Sequence, residues 1–377
     1  MKKVKLTMIA IVVIAIIVTM VVLPGCKTAA VETTAAATTA AATTAAATEA
    51  AVTTVDPETA MFAYVLHVAI PFTESIRRGA MNAAKDYGVK NMEVVAPSKM
   101  DTMEQIGLFE AEVQKGVLGL GVVSADAAAW TVPINNAVDK GVLVATGNVS
   151  ATDSKQTMFC GISGYADGIS LGNAILNSPD APKKGLVVVA SCLPGLPVLD
   201  GRTTGLLEVL KTNPDYTFVG PLDSGLSPEA TYAFWETAFT ANPDMVMAVG
   251  SCAFDLPALY KFKQKNTNAK FYCVSYDLEP DALKGVKEGI LGIAQGQGPY
   301  LQGYMPMAAM FENLIKGNPL AVGWINPGAE VVDKTNVDSF MARELDPQAE
   351  YDFYKNYIAE NLTPIWEKIG TWDDYKP

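Results

Sequence analysis

The sequence predicts an α/β protein made of two similar doubly wound parallel-sheet lobes, joined by a multi-strand hinge, with a ligand cleft between them. From residue 62 onward, short apolar runs alternate with helical segments, and several of these segments end at a glycine, such as Gly88 and Gly116. The polar segment 177–184 interrupts the alternation, which then starts afresh. Apolar runs linked by helices are typical of parallel strands with crossover connections, so two successive series predict two lobes.

The first series has apolar runs of strand length and helices with apolar residues at helical spacing. Its predicted strands are 62–68, 92–96, 117–123, 142–146 and 158–162. Its predicted helices are 74–87, 102–115, 127–140 and the connecting helix 166–176.

The second series repeats this order. Its predicted strands are 185–190, 216–219, 245–249, 271–275 and 289–294, and its predicted helices are 203–211, 228–241, 256–264 and 280–287. A long apolar helix over 300–314 follows, then two short apolar runs at 320–325 and 329–332. Such runs are expected where the chain crosses back between the lobes.

These patterns predict a chain of five parts. They are a signal peptide (1–25), a lipid anchor with an Ala/Thr-rich tether (26–58), an amino-terminal lobe (59–163 plus 296–323), a carboxy-terminal lobe (164–295 plus 324–340) and an aromatic-rich tail packed on a lobe (341–377).

Composition limits the classes of function. Half of the 377 residues are hydrophobic, which is enough for one large or two medium domains. The 28 Lys and Arg against 40 Asp and Glu give a net charge of −12, and an acidic surface repels phosphate backbones, so we expect no nucleic-acid partner. The single histidine, His67, excludes a multi-His zinc site and leaves a Ser/His/Asp apparatus only if His67 is the base. We expect no metal, no cofactor and no enzymatic activity.

The amino terminus has the pattern of an export signal. The basic segment MKKVK precedes an apolar run over 6–23, and the following Leu-Pro-Gly-Cys resembles the lipobox of bacterial lipoproteins, with Cys26 as the lipidated thiol. An uncleaved helical anchor is the alternative. The Ala/Thr-rich segment 27–58 lacks the large apolar residues of a core and predicts a flexible tether. Both alternatives place the protein outside the cytoplasm, anchored to the outer face of the cell membrane.

The other four cysteines, Cys160, Cys192, Cys252 and Cys273, fall within or just after predicted strands. A thiol in that position most often behaves as a small apolar side chain, so we expect free, buried thiols. A disulfide within this set is the alternative.

Polar residues stand at the ends of two neighbouring strands of the second series. Asp277 follows the strand 271–275 closely, and Gln295 follows the run 289–294. The carboxyl edge of a parallel sheet is where open α/β sheets bind ligands. A carboxylate and an amide there suit an uncharged, hydroxyl-rich molecule. The alternative is that Asp277 caps the helix beginning at Pro280.

Several ordered segments of residues 62–332 resemble the substrate-binding lipoproteins of bacterial ABC importers, in particular their ribose/galactose branch, the type I binding proteins. The segments are IPFTESIRRGAMNAAKDYGV, VLVATGN, GISGYADGISLG, LDGRTTGLLEVL, VSYD and GIAQGQ. By this resemblance the ligand-binding residues are Phe72, Asn148, Arg202, Asp277 and Gln295. Phe72 would stack on a sugar face, and Arg202 would reach a ring oxygen and a hydroxyl together.

Two further residues are candidates for ligand contact. His67, near the end of the first strand, can donate and accept one hydrogen bond each, although a structural role is an equal alternative. Cys252 and Ala253 stand where many members of the branch have Asn-Asp, and Ile70 stands where many have Asn. These positions are therefore apolar or weakly polar in this chain.

The resemblance implies a solute-binding protein that captures a neutral sugar or polyol by hinge closure, as a monomer, and delivers it to ABC permease subunits. The segment SCAFDLPAL also resembles the furanoside binders of the same superfamily. A sensory receptor for a sugar-like or furanoside signal is therefore the alternative function. A glycoside hydrolase would need a pair of carboxylates on facing elements, which no motif supplies.

Overall fold

The computed structural model of the protein describes residues 54–375, which belong to one compact unit. The predicted signal peptide, Cys26 and nearly all of the predicted tether lie outside the described residues. Among residues 54–375, no helix has the length and apolar character needed to cross a membrane.

Twelve strands in the described part form two six-stranded sheets. The strands are β1 (Met61–Val65), β2 (Asn91–Val95), β3 (Gly119–Val122), β4 (Leu143–Gly147), β5 (Met158–Cys160), β6 (Gly185–Ser191), β7 (Tyr216–Asp223), β8 (Met245–Val249), β9 (Tyr272–Tyr276), β10 (Ile293–Gly296), β11 (Gly323–Ile325) and β12 (Glu330–Val332).

Helices cover the sheets and form the carboxy-terminal tail. They are α1 (Pro71–Asp86), α2 (Thr102–Lys115), α3 (Ala127–Asp139), α4 (Gly164–Asn177), α5 (Pro197–Leu210), α6 (Pro228–Ala241), α7 (Asp255–Lys265), α8 (Pro280–Lys287), α9 (Pro299–Leu314), α10 (Val337–Glu344), α11 (Pro347–Asn361) and α12 (Ile365–Lys368), followed by a short 3-10 helix (Trp372–Asp374).

The two sheets have the same topology. The order is β11-β5-β4-β3-β1-β2 in the amino-terminal lobe and β12-β10-β9-β8-β6-β7 in the carboxy-terminal lobe. All pairings are parallel except that of β10 with β12. The chain passes between the sheets after β5, after β10 and between β11 and β12. The predicted fold class, with two doubly wound lobes and several crossings, is confirmed.

Each sheet carries apolar clusters on both faces, as a doubly wound fold requires. Trp130 of α3 and Trp235 of α6 are fully buried in the amino-terminal and carboxy-terminal lobes, respectively. The Trp130 ring packs edge-on against Phe109 of α2 with 5.3 Å between the centroids. These cores fix the helices that carry the residues of the cleft.

Close helix pairs in both lobes depend on glycine. A Cβ at Gly168 of α4 would collide with the carbonyl oxygen of Arg202 on α5, and a Cβ at Gly303 of α9 would collide with the carbonyl oxygen of Ile76 on α1. Only a residue without a side chain permits such an approach. The contact between α4 and α5 brings Asp167, the neighbour of Gly168, against Arg202.

The carboxy-terminal tail contacts both lobes. Val337 of α10 belongs to the core that includes α8, whereas Tyr354 of α11 stacks on Tyr300 of α9 with 4.7 Å between the ring centroids. Glu350 of α11 accepts a hydrogen bond from Arg78 Nη2 of α1 at 3.0 Å. The turn between α10 and α11 therefore spans from one lobe to the other.

The structure corrects the prediction of free thiols for one pair of cysteines. Cys192 and Cys252 form a disulfide with 6.4 Å between their Cα atoms, while Cys160 and Cys273 are buried and form no disulfide within residues 54–375. Cys192 follows β6 and Cys252 follows β8, and these two strands are paired in the sheet although α5, β7 and α6 separate them along the chain. The expectation of free thiols was wrong for this pair because strand adjacency brings the two loops together.

Candidate functional site

One cavity between the lobes, called cavity 1 below, has a volume of about 490 Å³. The loop after β1 and the start of α1 form its amino-terminal-lobe wall, and the loops after β9 and β10 form the opposite wall. The turn between α10 and α11 closes one side. The residues most relevant to ligand chemistry are Phe72, Ser75, Arg78, Asp277, Glu279, Gln297 and Glu344.

Another cavity, called cavity 2 below, has a volume of about 580 Å³ and also has walls from both lobes. It shares Ile70, Pro71, Glu279 and Pro280 with cavity 1, so the two cavities adjoin at these residues.

Asp277 reaches cavity 1 from the end of β9. Its backbone lies in the left-handed region, with φ of 73°, and its N–H donates to the carbonyl oxygen of Gln295 at 2.8 Å. Its Oδ1 accepts a hydrogen bond from Gln297 Nε2 at 2.7 Å, and burial raises the pKa of the carboxyl while nearby Arg202 opposes the rise. The capping alternative is wrong, because the N-cap of α8 is Glu279.

Asn148 occupies the equivalent position in the other lobe, directly after β4. It too has left-handed backbone, with φ of 64°, and its N–H donates to the carbonyl oxygen of Cys160 on the next strand at 3.0 Å. Its side-chain Nδ2 donates to Gln302 Oε1 at 3.1 Å and to Gln297 Oε1 at 3.3 Å. Gln297 therefore connects Asn148 of one lobe to Asp277 of the other.

Gln297 and Gln302 are further candidate residues that the sequence patterns did not identify. The run Gln-Gly-Gln over 295–297 offered two amides near the end of one strand. The first, Gln295, lies inside β10, opposite Tyr276 of β9. The second lies beyond the strand and lines cavity 1. Side chains two residues apart in extended backbone point to the same face, so the sequence groups Gln295 with Gln297 but does not show which amide reaches the cleft.

Arg202 and Gln295 converge on Asp167 in the carboxy-terminal lobe. Arg202 Nε donates to Asp167 Oδ2 at 2.7 Å, and Gln295 Nε2 donates to the carbonyl oxygen of Asp167 at 2.8 Å. The Arg202 guanidinium also lies 4.1 Å from the ring centroid of Tyr276, and its Nη1 donates to the carbonyl oxygen of Ser251 at 3.1 Å. Neither Arg202 nor Gln295 lines cavity 1 or cavity 2.

Two atoms of this cluster keep hydrogen-bonding capacity. Within the described residues, Arg202 Nη2 and Gln295 Oε1 are buried and have no partner. One is a donor and the other is an acceptor. Asp167 thus holds both side chains, and the cluster keeps one donor and one acceptor without a partner among the described residues.

Of the three remaining predicted site residues, Phe72 lines cavity 1, whereas His67 and Cys252 line neither cavity. Phe72 is half-buried, lines cavity 1 and packs against the amino-terminal core. His67 is buried, which lowers the pKa of its imidazole to about 4, and its Nδ1 has no partner among the described residues. Cys252 is held in the disulfide, and the next residue, Ala253, lines cavity 2.

The charges around cavity 1 are mostly paired. Arg343 binds Glu330 through Nη1 and Nη2 at 2.8 and 2.7 Å, and also contacts Glu344. Burial, with the charge of Asp277, raises the pKa of Glu279 to about 8, so this carboxyl is mainly protonated at neutral pH.

Within residues 54–375, no group of His, Cys, Asp and Glu could hold a metal ion. The site therefore offers a carboxylate, amides and an aromatic ring, which suit a neutral polyhydroxyl compound.

Comparison with known proteins places the chain in a family. Residues 62–319 match the family described as Periplasmic binding protein domain. The xylose/arabinose-binding protein XylF of Sulfolobus acidocaldarius is 23% identical over 270 residues, which are 67% of this chain and 65% of that protein. The match thus spans slightly less than two thirds of the length of that relative.

Solved structures show the same fold. A solute-binding protein of an ABC transporter from Burkholderia graminis, in complex with D-arabinose, superposes with a TM-score of 0.71 at 21% identity, covering 76% of this chain and 99% of that one. AraP, an arabinose-binding protein from Geobacillus stearothermophilus, has a TM-score of 0.65 at 21% identity, covering 74% and 99%. The tail beyond residue 319 lies outside the family match.

Proposed function

The chain belongs to the periplasmic binding protein family, and we propose that it is the extracytoplasmic solute-binding protein of an ABC transporter. It captures a neutral simple sugar or polyol by hinge closure and delivers it to the permease. The sugars in the names of its relatives, arabinose and xylose, support this class of ligand. The role is binding and delivery, with no bond made or broken.

The hydrogen-bonded series Asn148–Gln297–Asp277 carries the proposal. It joins the equivalent strand ends of the two lobes through one amide, and two of its three members line cavity 1. Carboxylate and amide groups can bind adjacent hydroxyls by several hydrogen bonds at once. Because the donors and acceptors come from both lobes, the full set of contacts forms only when the lobes are closed.

The other candidate residues have supporting roles in this proposal. Phe72 supplies an apolar face for the C–H side of a sugar ring at the wall of cavity 1. Arg202 and Gln295 line neither cavity and support the site through Asp277: Arg202 offsets its charge, and the Gln295 carbonyl oxygen accepts its backbone hydrogen bond. His67 Nδ1 is a further buried polar atom without a partner among the described residues. Cys252 acts through the disulfide, which holds the loop after β8.

The family places the protein outside the cytoplasm. We further propose that a lipid on Cys26, outside the described residues, holds the protein at the membrane, with the Ala/Thr-rich segment as a spacer. Its partners are then the sugar and the permease subunits, and the protein acts as a monomer. A transport role predicts that the sugar-loaded protein stimulates ATP hydrolysis by its transporter in proteoliposomes, whereas a sensory receptor would leave the rate unchanged.

The binding role is tested by calorimetric titration of the domain with pentoses, hexoses and polyols. We expect saturable binding of at least one compound and a 10- to 100-fold loss of affinity in Asp277→Asn, because hydrogen bonds to a charged group contribute about 1.5–3 kcal/mol. Asp244→Asn is the control, since it removes the same charge from an exposed position of the same lobe. Equal affinities in both variants would contradict the proposed site.

A further inference from the structure

Cavity 2 has an unusual wall for a site that binds a free sugar. Most of its lining is apolar, with Val68, Ile70 and Met100 from the amino-terminal lobe and Leu226 and Phe254 from the carboxy-terminal lobe. A free sugar carries hydroxyls on most of its carbons, and each hydroxyl that is buried without a partner costs free energy. The wall of cavity 2 is therefore suited to an apolar group.

Charged groups of cavity 2 do not change this character. Lys261 and Asp281 face each other at 4.0 Å with about half of each side chain exposed, so they belong to the rim. Lys99 is also exposed. Glu279, at the boundary with cavity 1, is mainly protonated at neutral pH because burial and Asp277 raise its pKa to about 8.

The two cavities divide the chemistry of the cleft between them. Asp277 and Gln297 line cavity 1 and are absent from the wall of cavity 2. The boundary consists of Ile70 and Pro71 on one side and Glu279 and Pro280 on the other, and these residues face both cavities. A single molecule that crosses this boundary would have a polar part near Asp277 and an apolar part against Leu226 and Phe254.

We propose that the natural ligand is a glycoside with an apolar aglycone, an aryl or alkyl group, rather than a free sugar. The sugar occupies cavity 1, and the aglycone occupies cavity 2. This inference rests on the proposed function, because it assigns the sugar part to the same site. It also identifies Leu226 as a residue that determines specificity for the aglycone without contacting the sugar.

The test compares free sugars with their methyl and phenyl glycosides by calorimetric titration. We expect the phenyl glycoside of a sugar to bind roughly 10- to 100-fold more tightly than the methyl glycoside, as the burial of an apolar group in a hydrophobic pocket predicts. Leu226→Asp should abolish this preference and leave the affinity for the methyl glycoside unchanged. The matched control is Leu222→Asp, because Leu222 and Leu226 are 40% and 41% exposed but only Leu226 lines cavity 2.

The possible results separate this inference from the proposed function. If free sugars bind but phenyl glycosides bind no more tightly than methyl glycosides, the aglycone site is wrong and the proposed function stands. The inference is also overturned if Leu226→Asp keeps the full preference for the phenyl group. If no sugar or glycoside binds to the unmodified protein, both proposals fail. A preference that is lost in Leu226→Asp and kept in Leu222→Asp supports the aglycone site.

Discussion

The two lobes have the same strand order but different chemistry at the edges that form the cleft. Near the ends of β3 and β4 in the amino-terminal lobe, neutral polar groups are buried: Ser124 Oγ donates to the carbonyl oxygen of Val149 at 2.7 Å, and Gln156 accepts from Thr146 at 2.6 Å. Around the corresponding strand ends of the carboxy-terminal lobe, the buried residues include four ionisable ones, Asp167, Arg202, Asp255 and Asp277.

The clearest comparison is between Asn148 and Asp277. Both follow the fourth strand of their lobe, both have positive φ, and both donate a backbone hydrogen bond to the fifth strand. Asn and Asp adopt left-handed backbone more readily than other residues with a side chain, so one geometry accepts either. Asn148 and Asp277 thus share one backbone geometry, but only Asp277 carries an ionisable side chain. Arg202 lies near Asp277 and offsets its charge.

The largest effect should follow from breaking the buried ion pair of the carboxy-terminal lobe. Arg202→Leu leaves Asp167 buried without its cation, which we expect to lower the free energy of unfolding by about 3–5 kcal/mol. Thr146→Val, which removes a neutral buried hydrogen bond of the amino-terminal lobe, should cost about 1 kcal/mol. Both changes in the free energy of unfolding are measured by equilibrium unfolding in guanidinium chloride.

The double variant Asp167→Asn with Arg202→Leu is the control for the ion pair. It removes both charges, so it should be more stable than Arg202→Leu alone. The prediction would be wrong if the double variant were no more stable than Arg202→Leu alone. It would also be wrong if Thr146→Val lowered the free energy of unfolding as much as Arg202→Leu.

One buried group in each lobe should make stability respond to acid, and the two responses should have opposite signs. The groups are His67 of the amino-terminal lobe and Asp255 of the carboxy-terminal lobe. The pKa of His67 is lowered by burial from 6.5 to about 4, so the unfolded chain binds its proton first and stability falls by about 3 kcal/mol as the pH drops from 6.5 to 4. The pKa of Asp255 is raised by burial from 3.8 to about 6. There the folded chain binds the proton first, so stability rises by a similar amount as the pH drops from 6 to 3.8.

Two single variants separate these contributions in urea unfolding at a series of pH values. Relative to the unmodified protein, His67→Gln should become more stable as the pH falls from 6.5 to 4, because the loss from His67 is removed. Asp255→Asn should become less stable over nearly the same interval, because the gain from Asp255 is removed. Differences that do not change with pH, or that share one sign, would contradict the assignment of opposite responses.

Local patterns predicted most elements because the relevant interactions are local. The helix over 228–241 has its predicted bounds, since Ser227 caps it and Pro228 occupies its first turn. The strand predicted over 289–294 begins later, at Ile293, because Gly289 adopts left-handed backbone at the end of α8. The helix predicted over 203–211 begins earlier, at Pro197, again with proline in the first turn.

Contacts between distant parts of the chain could not be predicted in the same way. The disulfide of Cys192 and Cys252 depends on the adjacency of β6 and β8, which are not consecutive in the chain. The burial of Arg202 against Asp167 depends on the close approach of α4 and α5. The end of a strand identified Asp277 as a candidate and the family resemblance identified Asn148, whereas the choice of Gln297 over Gln295 as a wall of cavity 1 depends on how the chain leaves β10.

A smaller effect should follow from exchanging the charges of the two equivalent residues. Asn148→Asp removes both side-chain hydrogen bonds that Asn148 donates and places a second carboxylate near Gln297, so we expect about tenfold weaker sugar binding by calorimetry. The backbone should tolerate the change, because Asp also adopts positive φ.

Combining Asn148→Asp with Asp277→Asn restores the number of carboxylates but moves the charge from the carboxy-terminal lobe, where Arg202 lies nearby, to the amino-terminal lobe. We expect the double variant to bind no better than Asp277→Asn alone, because the carboxyl-terminal ends of the two strands are alike in shape and differ in their electrostatic surroundings. If the exchanged protein bound the sugar as tightly as the unmodified one, the two lobes would be interchangeable, and the charge of the carboxy-terminal edge would have no part in recognition.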